Sequence, residues 1–415
     1  MRTKTAAIAV VILLCSNFIY TGCQRSSTPT QVTLAQEEQH VSPLEFGLDV
    51  VNSAGAISFA VSPVAYYDLF GLMRIGAESE TKQLLEQYQM SFNAQAQIKK
   101  LSPSVNFMHI SDVWAANSRE FSSWYGDTIN LCGYMFHGLP WENDEEVASF
   151  INDWIDEMSQ GEIPFYFSHE ECPRFVKNEV LFTNVAKFIA AWKQPLKKYE
   201  EGAFRQRPDA ENPYAMGAQR MEIFVSNPSC EGWYSENEHE QVLSLPYEDA
   251  VYRLMIVLPH NPIQVERPWE TYSIDRLKEL ETGLQYVSNI DVHLVNFQTI
   301  SNVYLSESMA EREVGEEDTT GILANLRCLF TVPANYPKMF TDPSAVELAP
   351  IMQECMFEIT AEGSANGENG LPSALPEVEF APSALYSFVT DRPFLYILYR
   401  EDLGIDNALF LGIYE

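Results

Sequence analysis

The stretch Phe357–Arg392, FEITAEGSANGENGLPSALPEVEFAPSALYSFVTDR, constrains this chain most. It opens as a strand. Phe357 and Ile359 alternate with Glu358 and Thr360, the two-residue period of a half-buried β-strand. Then the pattern stops. From Gly363 to Gly370 every residue is small or polar, and three are glycines. Pro372, Pro376 and Pro382 follow, each removing a ladder donor. Strand character returns at Phe394–Tyr399 and again at Ala408–Ile413. Roughly 25–30 irregular residues thus separate strands of a well-patterned chain, and a loop of that length in a compact domain is either functional or a disordered insertion. Both readings stay open on this stretch alone.

The rest of the chain narrows the choice. Its 415 residues are 46% hydrophobic and 12% aromatic, enough for a large core. The formal net charge is −32, from 58 acidic and 26 basic residues. That balance excludes a phosphate-backbone partner, which needs clustered Lys and Arg, and opposes adsorption to anionic membranes. The N-terminus has a basic start, Met1-Arg-Thr-Lys4, an apolar run Thr5–Leu14, and small residues before a cysteine at Thr21-Gly22-Cys23. This is an export signal, too short to span a membrane. It resembles a bacterial lipoprotein signal, with residues 1–22 removed, Cys23 lipidated and the polar segment 23–41 as a tether; an ordinary cleaved secretory signal is the alternative. Tyr20 stands where Leu is usual. Five cysteines remain beyond Cys23, an odd and irregular set that does not form a disulfide scaffold. Cys355 is expected to be a small core residue.

Periodicity predicts helices at 41–51, 65–77, 80–88, 121–130, 147–158 and 272–281. The segment Ala65–Ala77 is apolar on most faces, and 147–158 carries one apolar stripe at 147, 150, 151, 154, 155 and 158. Strands are predicted at 57–62, 105–116, 179–192, 221–225, 240–246, 251–258 and 292–297, with turns at Asn227-Pro228 and Tyr247-Glu248-Asp249. The run Glu179–Trp192 is long and largely apolar, as in a strand covered on both faces. Helices first and strands later make an α+β domain.

Catalytic motifs are scarce. Ser79-Glu-Thr-Lys82 matches the Ser-x-x-Lys of acyl enzymes, but no Ser-Asp-Asn or Lys-Thr-Gly follows. His169-Glu-Glu-Cys172 is two possible metal ligands without a second pair. The chain lacks His-Glu-x-x-His, Gly-x-Ser-x-Gly and both glycine-rich nucleotide motifs. No cofactor, no metal and no enzymatic activity are expected.

Several segments, in order, resemble the serpins over about residues 42–415. Phe59-Ala-Val-Ser-Pro-Val64 is similar to the start of the serpin buried second helix, and Gly76-Ala-Glu-Ser-Glu-Thr81 to the turn after it. Asn152-Asp-Trp-Ile with Gln160-Gly161-Glu-Ile163 resembles the helix across the main sheet. Val180-Leu-Phe-Thr-Asn184, with Phe188 and Trp192, resembles the third strand of that sheet. Leu243-Ser-Leu-Pro-Tyr247, Leu254–Pro259, Phe357–Ser364, Asp391-Arg-Pro-Phe-Leu and Leu409-Phe-Leu-Gly412 match later strands and the hinge. The resemblance implies a single α+β domain with a large central mixed β-sheet, additional smaller sheets, N-terminal helices and an exposed reactive-centre loop at about 363–390.

It also implies a function for the loop. In serpins a serine or cysteine protease cleaves it, and its N-terminal half then inserts as a new central strand. The hinge is Glu362, Gly363, Ser364, Ala365 and Asn366. By the family register Ser364, Asn366, Glu368 and Gly370 face inward. Asn366, Glu368 and Asn369 depart from the small residues of inhibitory members, and a buried unpaired carboxylate is costly. In the strand-opening region Ser62 and Asn184 are retained, while Ala65 and Gln353 replace the usual Ser and His. The family spacing sets the scissile bond at Glu377-Val378, or Glu379-Phe380 when counted back from Pro393. The expectation is a monomeric suicide inhibitor of a target protease, exported and tied to a bacterial membrane only through its lipid. The alternative is a non-inhibitory surface lipoprotein of the same fold that acts by binding.

Overall fold

The computed structural model describes residues 40–54, 58–98, 104–139, 141, 143–163, 166, 180–206, 219–261, 268–305, 326, 329, 335–343, 348–364 and 384–415. Cys23, His169, Cys172, Ala365, Asn366, Glu368, Asn369, Glu377 and Val378 lie outside the described residues.

Helices lead, as the sequence predicts: α1 Pro43–Ala54, α2 Pro63–Gly76, α3 Ser79–Glu86 and α4 Phe92–Ile98, with the short strand β1 Phe59–Val61 before α2. Ser62 caps α2, its Oγ accepting from Ala65 N at 3.4 Å, and Pro63 occupies the first turn, where its missing N–H is harmless. α2 is enclosed nearly all round, burying Tyr66, Tyr67, Leu69, Phe70, Leu72 and Met73. Ser79 is exposed at the start of α3, and Lys82 pairs with Glu86 at 3.8 Å, so the Ser-x-x-Lys sequence forms the first turn of a surface helix.

The central sheet is mixed and six-stranded. Its members are β2 Val105–Ala116, β3 Met135–Leu139, β4 Val180–Ala191, β10 Phe297–Leu305, β11 Ile351–Ile359 and β12 Gly363–Ser364. They lie in the order β10-β11-β4-β2-β3, with β12 paired to β4. β4 is central and pairs with β2 from Val105↔Ala190 to Ala115↔Val180. That position explains its mostly apolar run. α5 Ser123–Cys132 connects β2 to β3, and α6 Asp144–Ser159 covers the sheet face. Val147, Ile151 and Ile155 of α6 pack on Ile110, Trp114, Leu181 and Val185. The stripe is narrower than predicted: Phe150 and Met158 are 49% and 41% exposed.

The remaining sheets join into one nine-stranded network, ordered β1-β15-β14-β8-β7-β6-β9-β13, with β5 on β6. Its further strands are β5 Lys198–Arg205, β6 Gln219–Glu236, β7 Glu240–Pro246, β8 Tyr252–Pro259, β9 Gln285–Val295, β13 Tyr386–Val389, β14 Phe394–Arg400 and β15 Phe410–Tyr414; α7 Ile274–Thr282 precedes β9. The turn predicted at Asn227-Pro228 does not exist. β6 runs through it with register shifts between Asn227 and Cys230 and between Cys230 and Gly232, and a bulge is where a strand tolerates proline. β13 also shortens the irregular stretch. Its Phe388 is buried, and the strand pairs in parallel with β9 inside the span predicted as loop. The core between the two sheets holds Ala186, Phe188, Tyr247, Phe357, Tyr396, Phe410 and, as expected, the buried thiol Cys355.

Candidate functional site

The strand before the irregular loop shares a parallel ladder with β4, and the ladder is incomplete. Five residue pairs join them, from Met352↔Thr183 up to Met356↔Lys187. Above those pairs β4 continues to Ala191 and β11 to Ile359 without pairing to each other. β12 fills the mouth of this gap, setting Gly363 opposite Ala191 and Ser364 opposite Ala190, antiparallel to β4.

A tight reversal delivers β12 to that position. Thr360 N donates to Gly363 O at 2.8 Å, and Thr360 Oγ1 donates to the same oxygen at 2.9 Å. Gly363 has φ +152°, and a Cβ there would lie 2.0 Å from Ala190 O, so only glycine fits. Trp192, just past β4, holds the reversal with two donors: its N to Glu362 O at 2.7 Å and its Nε1 to Thr360 O at 3.0 Å. Its ring stacks on Tyr247 at 4.5 Å between centroids. Tyr247 in turn places its hydroxyl 2.7 Å from Ser364 Oγ, fully buried. Burial raises the Tyr247 phenol above its ordinary pKa, so it stays neutral and able to donate.

Lower down, Gln353 of β11 bridges the two strands and α2 on the core face. Its Oε1 accepts from Ser62 N at 2.7 Å, and its Nε2 donates to Ser62 O at 3.0 Å and Asn184 Oδ1 at 2.5 Å. Asn184 Nδ2 donates to Ala65 O at 3.0 Å and Ser111 Oγ at 2.9 Å, and Ser62 Oγ donates to Leu409 O at 2.6 Å. The buried amides are thereby satisfied, with their orientations set by donor–acceptor matching. The sequence marks Gln353 only as a departure from family usage; here it joins Ser62 to Asn184.

On the opposite face, under α6, lies a charge cluster that the sequence gives no reason to expect. Lys187 of β4, 4% exposed, pairs with Glu162 at 2.5 Å. Glu358 of β11 is buried nearby, and burial pushes its carboxyl up to about 7. Lys187 and Glu358 stand on opposite sides of the line along which β4 and β11 would part. Of the residues singled out from sequence, Glu362, Gly363 and Ser364 meet β4 at the mouth, and Ser62 and Asn184 meet lower down; the remaining hinge and scissile positions lie outside the described residues.

Comparison with known proteins bears on this arrangement. The sequence model of the family Serpin (serine protease inhibitor) matches residues 44–414. Among curated proteins, Serpin I2 of Homo sapiens is 22% identical over 275 residues, 66% of this chain and 62% of that protein. Ovalbumin-related protein Y of Gallus gallus is 22% identical over 276 residues, 65% of this chain and 63% of that one. The chain thus spans somewhat over three fifths of the length of these relatives. Among solved structures, the native state of the thermophilic serpin tengpin superposes with a TM-score of 0.69 at 14% identity, covering 94% of this chain and 97% of that one. Manduca sexta serpin-12 gives the same TM-score at 15% identity, covering 90% and 98%. At such identities the structural likeness shows the shared fold.

Proposed function

The chain belongs to the serpin family, and from that premise we propose that it is a suicide inhibitor of serine or cysteine endopeptidases. The observation that carries the reading is the seated hinge: Gly363 and Ser364 already pair with β4 above the end of its ladder with β11. In the proposed sequence the protease nucleophile adds to the carbonyl of Glu377, the amine of Val378 leaves, and an ester or thioester remains on Glu377. The freed loop then continues the strand begun at Gly363. Five parallel pairs between β11 and β4 give way to two antiparallel ladders, and each new hydrogen bond contributes roughly 1 kcal/mol. The uncut sheet is in this account a kinetic stop.

The register bears on efficiency. Continued unchanged from Ser364↔Ala190, it would bring Glu368 opposite Ala186, whose present partner is Cys355. Both are fully buried. A carboxylate inserted there loses its hydration without a partner. This favours a second reading, a serpin-fold protein that acts by binding and traps its protease slowly or not at all.

Incubation with a Glu-cleaving or elastase-like protease separates the two. The inhibitor reading expects an SDS-resistant complex of added mass; a clipped band alone contradicts it for that protease. We further propose that Cys23 carries a lipid that holds the protein at a bacterial membrane, on the evidence of the Thr21-Gly22-Cys23 signal. The mass of the mature N-terminus tests it, with an unmodified cleaved chain as the contrary result.

A further inference from the structure

We propose that Tyr166 is a positioning residue for strand insertion: its hydroxyl bridges β11 and β4 at the lower end of their five-pair ladder, and its release governs passage of the loop beyond that point. The inference rests on the insertion reading above. Tyr166 follows α6 and is tied back to it, its backbone N donating to Asn152 Oδ1 at 2.9 Å. The ring is buried among Ile155, Ile163, Leu181, Val185 and Met352. The hydroxyl then reaches the ladder itself. It accepts from Asn184 N of β4 at 3.2 Å and donates to Met352 O of β11. One hydroxyl therefore joins the main chains of both strands at the lower end of the five-pair ladder. Burial raises the phenol well above its ordinary pKa, so it keeps its proton.

Asn184 is held twice at this rung. Its backbone N–H is taken by Tyr166 from the α6 side, and its side chain by Gln353 from the core side. The segment after α6 also grips the other end of the paired stretch, where Glu162 meets Lys187 at 2.5 Å. Lys187 and Met356 are the uppermost pair. The two contacts bracket the five-pair ladder between β11 and β4, below which Leu348 pairs again with Val180.

Insertion breaks the Tyr166 contact by geometry. Two strands with a third between them stand about 9.5 Å apart, twice the strand spacing, and a single hydroxyl cannot bond both. In the register begun at Ser364↔Ala190, Gly370 would arrive opposite Asn184. The inserted backbone would then compete for the Asn184 amide that Tyr166 holds. The hydroxyl thus stabilises only the uninserted sheet.

The test is Tyr166→Phe in the full chain, which keeps the ring and removes only the hydroxyl. Thermal unfolding is measured on intact protein and on protein clipped in the loop by a Glu-specific protease, and the rate at which clipped protein acquires its final stability is followed. Loss of this contact should lower the Tm of the intact form by about 1–3 °C. The Tm of the clipped form should not move. The rate of gain should rise roughly three- to tenfold, the effect of removing a hydrogen bond from the ground state alone. An equal fall in both forms would make Tyr166 an ordinary packing residue and overturn the proposal, as would an unchanged rate. If clipped wild-type protein gains no stability, the insertion reading itself fails, and the Tyr166 proposal with it.

Discussion

The hydroxyl of Tyr247 lies 2.7 Å from Ser364 Oγ, both residues fully buried, so the residue that follows Gly363 is already part of the sheet. Trp192 stacks on Tyr247 and holds the reversal that feeds Ser364 inward. The hinge is therefore a seated strand end with defined partners on β4 and in the adjoining network.

Tyr247→Phe leaves Ser364 buried without this partner. We expect a loss of about 1 kcal/mol and faster hydrogen exchange at 360–364, where β12 would leave the mouth more often. Exchange mass spectrometry of that peptide checks it; unchanged protection would show that the backbone rungs alone seat the hinge.

Gln353→Glu should be worse than Gln353→Ala. The amide donates to Ser62 O and Asn184 Oδ1, and a carboxylate would face both acceptors with no proton to offer. Losses of about 2–4 kcal/mol are expected for alanine and more for glutamate. Denaturant midpoints of the three proteins measure the order, and a glutamate variant as stable as wild type would contradict the assignment of the amide.

Glu358 should make stability pH-dependent. Burial holds its carboxyl at about 7, with Lys187 lowering and Glu162 raising it. An unfolded glutamate titrates near ~4.3, so between these values the folded chain binds a proton that the unfolded chain has lost. Stability contributed by this group is therefore full below about 4.3 and falls as pH rises toward about 7. Glu358→Gln should flatten that part of the curve; a variant with the wild-type slope would place the dependence elsewhere.

Glu368→Ala should speed trapping. Were the register of Ser364 continued on insertion, the side chain at 368 would enter the core beside Ala186. Removing a carboxylate there should raise the fraction of protease captured by about tenfold or more, since burying it unpaired costs several kcal/mol. The stoichiometry of inhibition measures the change. An unaltered ratio would mean that insertion is limited before position 368.

Much of this was legible in the sequence, and particular residues show where legibility ended. The apolar run of β4 predicted a strand covered on both faces because burial leaves few other residues possible. The sequence pattern places Ser62 at the end of a strand and starts the helix at Ala65, whereas Ser62 caps α2 and Pro63 begins it. Gly363 is marked in the sequence only through the family hinge, and the structure supplies the reason that nothing larger fits. β6 was misread at Asn227-Pro228, where a bulge absorbs what looks locally like a turn. β3, β5 and β10, all at sheet edges, are not predicted, and the predicted strand 292–297 spans the end of β9 and the start of β10. The contacts of Tyr166, Gln353 and Lys187 were beyond local reading. Each acts on partners far along the chain, and no periodicity marks a side chain that reaches another strand's backbone. Gln353 was noticed only as a change from family usage, and its three hydrogen bonds emerged from the fold.

The central claim is that the loop beyond Gly363 can become an internal strand of the sheet. Thermal unfolding before and after a single cut near Glu377 tests it most directly. Roughly eight to ten added ladder hydrogen bonds should raise the Tm by on the order of 20 °C. A clipped protein that melts at the temperature of the intact one would contradict the claim.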